Sequence, residues 1–446
     1  MSQSGPPAER SAAQETDGET PELELLTLRD GLPDVVETDS QLAAAVRDLA
    51  GGTGPIAIDA ERASGYRYSA RAYLIQLRRE GSTTWLVDPT AFDDLTPLQE
   101  VLSGDEWILH AASQDLPCLR EVGLEPTALF DTELAARLLG YPRVGLASLV
   151  EQLCGLRMRK EHSAADWSKR PLPTSWLEYA ALDVEVLVEI RDQLARELVE
   201  SGKDSWARQE FAHVMVQRPV PRTDPWRRTS GMHKARGRRA VAAVRELWLT
   251  RDELAERRDV TPGRIIPDSA IVAAAAALPT ERNALLGLKG FHGRGAERYA
   301  DRWLDAIVAA REMPESELPP VALRSDGPPP PRAWAERDPA AAARLTAARA
   351  ALAAVSEERS VPVENLLTPD VVRRLLWSPP DSRDPAELTE AVGTQLREHG
   401  ARDWQVELVG PVLVDAILHP APAPELPPEP SPLIDDLPDA EPPAVG

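Results

Sequence analysis

A mixed α/β block followed by two all-α blocks is the fold class this chain predicts, and three observations predict it. Short β-rich runs crowd residues 56–110 and then give way to helical patterns, so strands and helices share the first block. Residues 236–312 and 333–419 carry helical periodicity alone. Arginine-rich and proline-rich stretches separate these blocks, where boundaries belong.

Residues 1–30 are acidic, contain Gly5, Pro6 and Pro7, and have few apolar residues before Leu23, so they are expected to lack a fold. The first domain, residues 31–212, opens with the runs Ile56-Ala57-Ile58-Asp59, Tyr73-Leu74-Ile75-Gln76-Leu77 and Thr84-Trp85-Leu86-Val87. Turn-like segments separate them, which predicts an antiparallel meander. A fourth run, Trp107 to His110, leads into helical patterns, the longest covering about Thr174 to Glu200. Residues 213–235 form a basic linker and residues 236–312 the first helical domain. Residues 313–332 hold seven prolines, including the run Pro328 to Pro331, and predict a stiff extended connector. The second helical domain covers residues 333–419. Ten prolines and six acids in residues 420–446 predict a tail without a fold.

The two helical domains are related. VTPGRIIPDSAIV from Val260 and VPVENLLTPDVV from Val361 share a proline turn, a branched aliphatic pair and a Pro-Asp helix start, and both domains close on Asp-Ala-Ile, at Asp305 and Asp415. They read as a degenerate tandem repeat. Val241, Val244, Trp248 and Ala255 recur at helical spacing and are core candidates.

A length of 446 residues is enough for two to four domains of roughly 100–200 residues each. The hydrophobic share of 43% can fill real cores. Mean hydropathy is −0.32 and no apolar run approaches the ~18 residues of a membrane helix, so no membrane span is expected. Met1 to Asp30 lacks a basic segment followed by an apolar one, so no signal peptide is read. Cys118 and Cys154 are too few for a disulfide framework or a cysteine zinc site. A cytoplasmic protein is expected, with a monomer favoured.

Net charge is −22, which discourages a nucleic-acid partner only if the charge is evenly spread. It is not. Residues 1–40 carry −8 and residues 421–446 carry −6, whereas Arg218 to Arg239 holds eight bases against Asp224. Such a block suits either a solvated linker or phosphate neutralisation.

Three sets of acidic residues carry the chemistry. Strand alternation puts Asp59 and Glu61 on one face and Ile56 and Ile58 on the other. Two acids on such a strand either face solvent or need a cation to neutralise them. At about 100° per residue, Glu178, Glu185, Glu189 and Asp192 share a polar arc of the long helix, while Tyr179 and Asp183 project inward beside Val186, Leu187 and Ile190. Taken alone, a tyrosine hydroxyl paired to a buried aspartate, or an aspartate accepting a backbone hydrogen bond, is the ordinary explanation, and a functional pair is the alternative. Asp115, in His110-Ala111-Ala112-Ser113-Gln114-Asp115-Leu116, either caps the next helix or belongs with the other acids.

Taken together, Asp59 with Glu61, Asp115, and Tyr179 with Asp183 resemble the three motifs of the DEDD exonuclease superfamily in its tyrosine branch. HAASQDLPCL from His110 and DWSKRPLPTSWLEYAALDV from Asp166 look like ribonuclease D. LWLTRDELAERRDVTPGRIIPD from Leu247 and LLGLKGFHGRGAERYADRWLDAI from Leu285 are similar to the helicase-and-RNase-D C-terminal (HRDC) domain, and the second helical block stands where that family has a second HRDC-like domain. The resemblance covers about residues 31–419.

It implies a ribonuclease H-like mixed sheet with helices, followed by two all-α HRDC-type domains. It also implies metal-dependent 3′→5′ hydrolysis of RNA to 5′-mononucleotides, with tRNA precursors or other structured RNA 3′ ends as partners. Two divalent ions, Mg²⁺ or Mn²⁺, would be held by Asp59, Glu61, Asp115 and Asp183, with Asp59 bridging them. Hard oxygen ligands suit these ions, and the seven histidines show no zinc spacing. Tyr179 would orient or deprotonate the attacking water. Trp167, Arg170, Pro171, His110 and Gln76 stand outside this assignment. Arg236, Arg238, Arg239, Lys289 and Arg294 are expected to reach phosphates, the HRDC domain acting as a tethered module that raises local RNA concentration. A DNA exonuclease and a non-catalytic RNA-binding platform are the alternative readings.

Overall fold

The computed structural model describes residues 23–159, 165–218, 220, 222–323 and 327–422. Of the stretches expected to lack a fold, residues 1–22 and 423–446 lie outside the described residues, while the 1–30 boundary is corrected: Glu24–Leu25 pairs in parallel with Leu156–Arg157, Leu26 is buried and Arg29 meets Glu185, because these residues have apolar and charged partners in the first block.

The first block is built on six strands: β1 (Val35–Val36), β2 (Thr53–Arg62), β3 (Ala72–Glu80), β4 (Trp85–Val87), β5 (Glu106–Leu109) and β6 (Ala128–Asp131). Their spatial order is β1-β4-β3-β2-β5-β6. The strands β2, β3 and β4 pair antiparallel, as the predicted meander requires, while β1 joins β4, and β5 joins β2 and β6, in parallel. Parallel pairing needs crossovers, and helices supply them. Among these are α1 (Asp39–Gly51) and α2 (Leu116–Glu121), while α3 (Thr132–Leu139) follows the last strand of the sheet. Thr38 caps α1 by accepting from Gln41 N, and the helix buries Leu42, Ala45 and Leu49 in one stripe against the sheet.

The long helix expected over residues 174–200 is divided into α4 (Thr174–Glu185) and α5 (Leu187–Glu200) by a break at Val186, whose φ of −121° and ψ of 15° are not helical. The reading of Glu185 is corrected: expected on the solvent arc with Glu178, it is 1% exposed, with Arg29 at 3.2 Å and Arg78 at 3.5 Å neutralising it.

Another helix, α6 (Asp204–Val216), runs past the expected boundary at residue 212. The basic stretch beyond it is more than a linker. Trp226 and Ala235 pack into the core of the middle block, with Arg227 stacked 4.2 Å over the Trp226 ring. That block holds α7 (Arg238–Arg258), α8 (Asp268–Ala277) and α9 (Ala300–Glu312) around Val244, Leu247, Ile271, Phe291 and Trp303. The last block holds α10 (Pro339–Arg359), α11 (Pro369–Trp377), α12 (Pro385–Glu398) and α13 (Asp403–Leu418). Asp338 and Asp384 cap α10 and α12, each followed by a proline, which needs no hydrogen-bond acceptor there.

The internal repeat extends to backbone geometry. Both α7 and α10 have 21 residues and end on a left-handed residue, Asp259 (φ 44°) or Ser360 (φ 50°), before a single turn and the next helix. Each of these two residues docks its block onto the first one. Asp259 Oδ1 accepts from the backbone N of Ser69 (2.9 Å) and of Tyr68 (3.1 Å). The Ser360 carbonyl presses against Gly140, where a Cβ would lie 2.5 Å from its oxygen. With φ of 81° as well, position 140 demands glycine twice over.

The expectation of a tethered module is therefore corrected, because neither helical block hangs free. The last block shares one hydrophobic core with the first, and Trp206 stacks on Trp404 at 4.8 Å. Among the described residues, no helix is long and apolar enough to cross a membrane.

Candidate active site

The cleft forms where β2, the turn after β5 and α4 meet. Alternation along β2 brings Asp59 and Glu61 to one face, and α4 crosses that face and contributes Tyr179 and Asp183 one turn apart. All five residues singled out by sequence, Asp59, Glu61, Asp115, Tyr179 and Asp183, line one cleft of about 420 Å³, with His110, Gln114 and Glu133 at its edges. Ligand oxygens of Asp59, Glu61 and Asp183 lie within 4.8 Å of one another. Asp115 lines the same cleft outside that trio.

Asp115 occupies the N-cap position of α2 but makes no side-chain cap bond, which leaves its carboxylate directed at the cleft. The turn that carries it is held by Asp131, a residue sequence reasoning passed over. From the end of β6, Asp131 accepts from the backbone N of Ala111 (3.1 Å), Ala112 (2.9 Å) and Leu134 (3.1 Å). Ala111 stands at φ 60°, and this brace keeps it there. An aspartate immediately before the helical pattern of α3 was the available signal. His110 Nδ1 pairs with Thr132 Oγ1 at 2.9 Å, and burial lowers its pKa to about 4, so it is neutral at pH 7.

The acids repel one another in a poorly hydrated place. Burial raises the pKa of Asp59 to about 6, against the Ala60 amide and the charge of Arg62. Burial comes first for Glu61, Asp115 and Asp183 as well, and the neighbouring carboxylates push all three higher. The Tyr179 phenol is raised by burial and then by Asp183, Glu61 and Asp59. One observation beside this cluster also calls for a polar guest: Gln76 faces Asp59 across the β2–β3 ladder, is fully buried, and has neither amide atom paired among the described residues. A negative, all-oxygen donor set next to an unsatisfied amide fits hard divalent cations and their water.

The residues left outside the assignment are mostly structural. Arg170 is taken up by Asp88 (2.6 Å) and the Tyr73 carbonyl (2.8 Å), and Trp167 is buried against Trp176. Two of the expected phosphate contacts are also committed elsewhere. Arg238 donates to the carbonyls of Glu315 and Leu318, and Arg239 to those of Arg311 and Met313 and to the Glu315 carboxylate. They close the end of α9 and hold the proline-rich connector, because exposed carbonyls at a helix C-terminus attract guanidinium donors. Arg236, Lys289 and Arg294 remain exposed on the middle block, away from the cleft lining.

Sequence comparison agrees with the geometry. A ribonuclease D from Gluconacetobacter diazotrophicus is 31% identical over 364 residues, spanning 79% of this chain and 89% of that one. The chain belongs to the ribonuclease D family. In keeping with a ribonuclease D plan, residues 33–199 match the 3′-5′ exonuclease family and residues 241–307 the HRDC domain. Residues 327–417 match the 3′ to 5′ exonuclease C-terminal domain, so the second helical block has its own family description rather than that of the HRDC domain. A Bifidobacterium adolescentis protein of known crystal structure aligns at TM-score 0.81 and 38% identity, covering 89% of this chain and 100% of its own. The Escherichia coli RNase D structure, described as an exoribonuclease involved in structured RNA processing, aligns at 0.62 and 28%, covering 82% and 99%.

Proposed function

We propose that this chain is a 3′→5′ exoribonuclease of the cytoplasm that trims tRNA precursors or other structured RNA 3′ ends to 5′-mononucleotides. Asp59, Glu61, Asp115 and Asp183 hold two divalent cations, Mg²⁺ or Mn²⁺, in this reading. The observation that carries it is the meeting of Asp59, Glu61 and Asp183 within 4.8 Å in a cleft that Asp115 and Tyr179 also line.

Bound there, such ions supply the positive charge that activates water and offsets charge on the attacking and leaving oxygens of the phosphodiester. The chain's own residues do the rest. The Tyr179 hydroxyl, one turn from Asp183, orients the attacking water, and its raised pKa makes it a positioning donor rather than a free phenolate. Asp131 fixes the turn that presents Asp115. Arg236, Lys289 and Arg294 contact RNA phosphates upstream of the 3′ end.

The test is a 3′-extended tRNA incubated with wild-type protein in Mg²⁺, with wild-type protein in EDTA, and with Asp59→Ala protein in Mg²⁺. Release of 5′-mononucleotides in the first reaction alone is expected. Binding without release in all three identifies an RNA-binding platform instead, and faster digestion of single-stranded DNA makes the chain a deoxyribonuclease.

A further inference from the structure

One cation enters this acidic cleft, at the end of β2. Alternation along a regular strand turns Arg62 away from the face of Glu61. The β2–β3 register shifts at this point because Tyr73 of β3 is left unpaired, Glu61 pairing with Leu74 and Arg62 with Ala72. The long Arg62 side chain nevertheless brings Nη2 to 3.6 Å from Asp115 Oδ1, with 31% of that side chain still exposed. Among the described residues lining the cleft, it is the only lysine or arginine.

The pair is loose. Some ion pairs in the chain are tighter, Arg402 gripping Glu210 through two bonds of 2.6 and 2.7 Å and Arg170 holding Asp88 at 2.6 Å, while others, such as Arg344 with Asp338 at 3.7 Å, are as long. A separation of 3.6 Å exceeds the ~2.7–2.9 Å of a charge-assisted hydrogen bond. Arg62 therefore stands near Asp115 as a neutralising charge without being locked to it. Its exposed, planar fork of donors matches the non-bridging oxygens of a phosphate better than a single carboxylate oxygen does.

We propose that Arg62 is an exchangeable counter-ion. It neutralises Asp115 in the metal-free protein, yields that carboxylate to a divalent cation, and then grips the phosphate next to the RNA 3′ end. The inference rests on the nuclease reading of the cleft and adds to it a phosphate ligand and a built-in competitor for metal.

The two halves have separate readouts. Mn²⁺ is titrated calorimetrically into RNA-free wild type, Arg62→Gln and Arg62→Lys, and a short RNA with a free 3′ end is titrated into the same proteins in Ca²⁺. Removing the competing charge is expected to tighten Mn²⁺ binding several-fold in Arg62→Gln. Loss of a charge-assisted contact is expected to weaken RNA binding about tenfold or more. Arg62→Lys keeps the charge without the fork, so it should fall between the other two in both titrations. Unchanged or weaker Mn²⁺ binding in Arg62→Gln, or unchanged RNA affinity, overturns the proposal. Neither titration depends on hydrolysis, so failure of the nuclease reading shows separately, as wild-type protein that releases no nucleotide in Mg²⁺.

Discussion

Asp259 Oδ1 accepts a hydrogen bond from the backbone N of Ser69 at 2.9 Å, and this contact ties the end of α7 to the loop that leaves the carboxylate-bearing strand β2. Tyr68 N (3.1 Å) and the Tyr73 hydroxyl (3.3 Å) bind the same side chain, and Arg264 stacks 4.3 Å over Tyr66 beside it. Because residue 259 is left-handed, asparagine and glycine keep its backbone, whereas alanine adds strain. Asp259→Ala should loosen the docking by about 1–3 kcal/mol, and Asp259→Asn by less. Hydrogen exchange at the Tyr68 and Ser69 amides measures this directly. Burial alone raises the Asp259 pKa, but the hydrogen bonds from Ser69 and Tyr68 and the charge of Arg67 leave it below the ordinary aspartate value. A depressed folded pKa stabilises above the unfolded value near 3.8 and is lost as pH falls through the folded one. The clasp should therefore hold at neutral pH and open only in acid.

The carboxylate cleft has the opposite sign. Burial and mutual repulsion raise its acids, Asp59 to about 6, so folding of the metal-free protein binds protons that the unfolded chain releases. Such groups destabilise progressively as pH rises from the unfolded value near 3.8 through about 6, and the penalty persists above it. Metal-free Asp59→Asn protein should melt a few degrees higher than wild type at pH 7.5, at roughly 2–4 °C per kcal/mol for a domain of this size, and match it near pH 4. Adding Mn²⁺ should raise the wild-type melting temperature and leave the variant nearly unmoved. Differential scanning calorimetry across this pH range checks both statements.

Much of this was legible from residue order, and the exceptions have identifiable physical causes. The meander, the shared face of Asp59 and Glu61, and the inward Tyr179 and Asp183 all follow from the periods of strand and helix. Glu185 does not, since Arg29 and Arg78 arrive from distant positions to cover and neutralise it, which helical period cannot reveal. Arg62 escapes the pattern because a side chain of its length reaches Asp115 from the end of the strand, whichever face its Cβ takes. Arg238 and Arg239 look like phosphate ligands in a basic block, yet the carbonyls that occupy them belong to residues more than seventy positions away.

Tyr179 should separate chemistry from metal retention. It lines the cleft beside the acids, but burial and the charges of Asp183, Glu61 and Asp59 keep its phenol protonated, and a neutral phenol is a poor ligand for a hard cation. Tyr179→Phe is therefore expected to lower kcat by about 10²-fold or more, the usual scale for losing a positioned proton donor, with KM changed little. Its Mn²⁺ titration should overlay that of wild type. Weakened Mn²⁺ binding in the variant contradicts this division of labour and puts the phenol among the metal's partners.

A buried ion pair crosses the join between the first and last blocks, beside their shared apolar core. Arg402 donates to both oxygens of Glu210, at 2.6 and 2.7 Å, and Trp404 Nε1 adds a third bond at 2.8 Å. The Glu210 side chain is 7% exposed and that of Arg402 19%, so water cannot replace a lost partner. Removing only the cation strands a carboxylate under the Trp206–Trp404 stack, and breaking buried pairs in this way costs about 3–5 kcal/mol. Arg402→Met should therefore destabilise strongly, as read by the midpoint of urea unfolding. Glu210→Gln combined with Arg402→Met removes both charges, leaves an amide that can still accept from Trp404, and should recover more than half of the loss. If the double variant is no more stable than Arg402→Met alone, the ion pair is not what holds the two blocks together, and the stacked tryptophans and shared apolar core must carry the join.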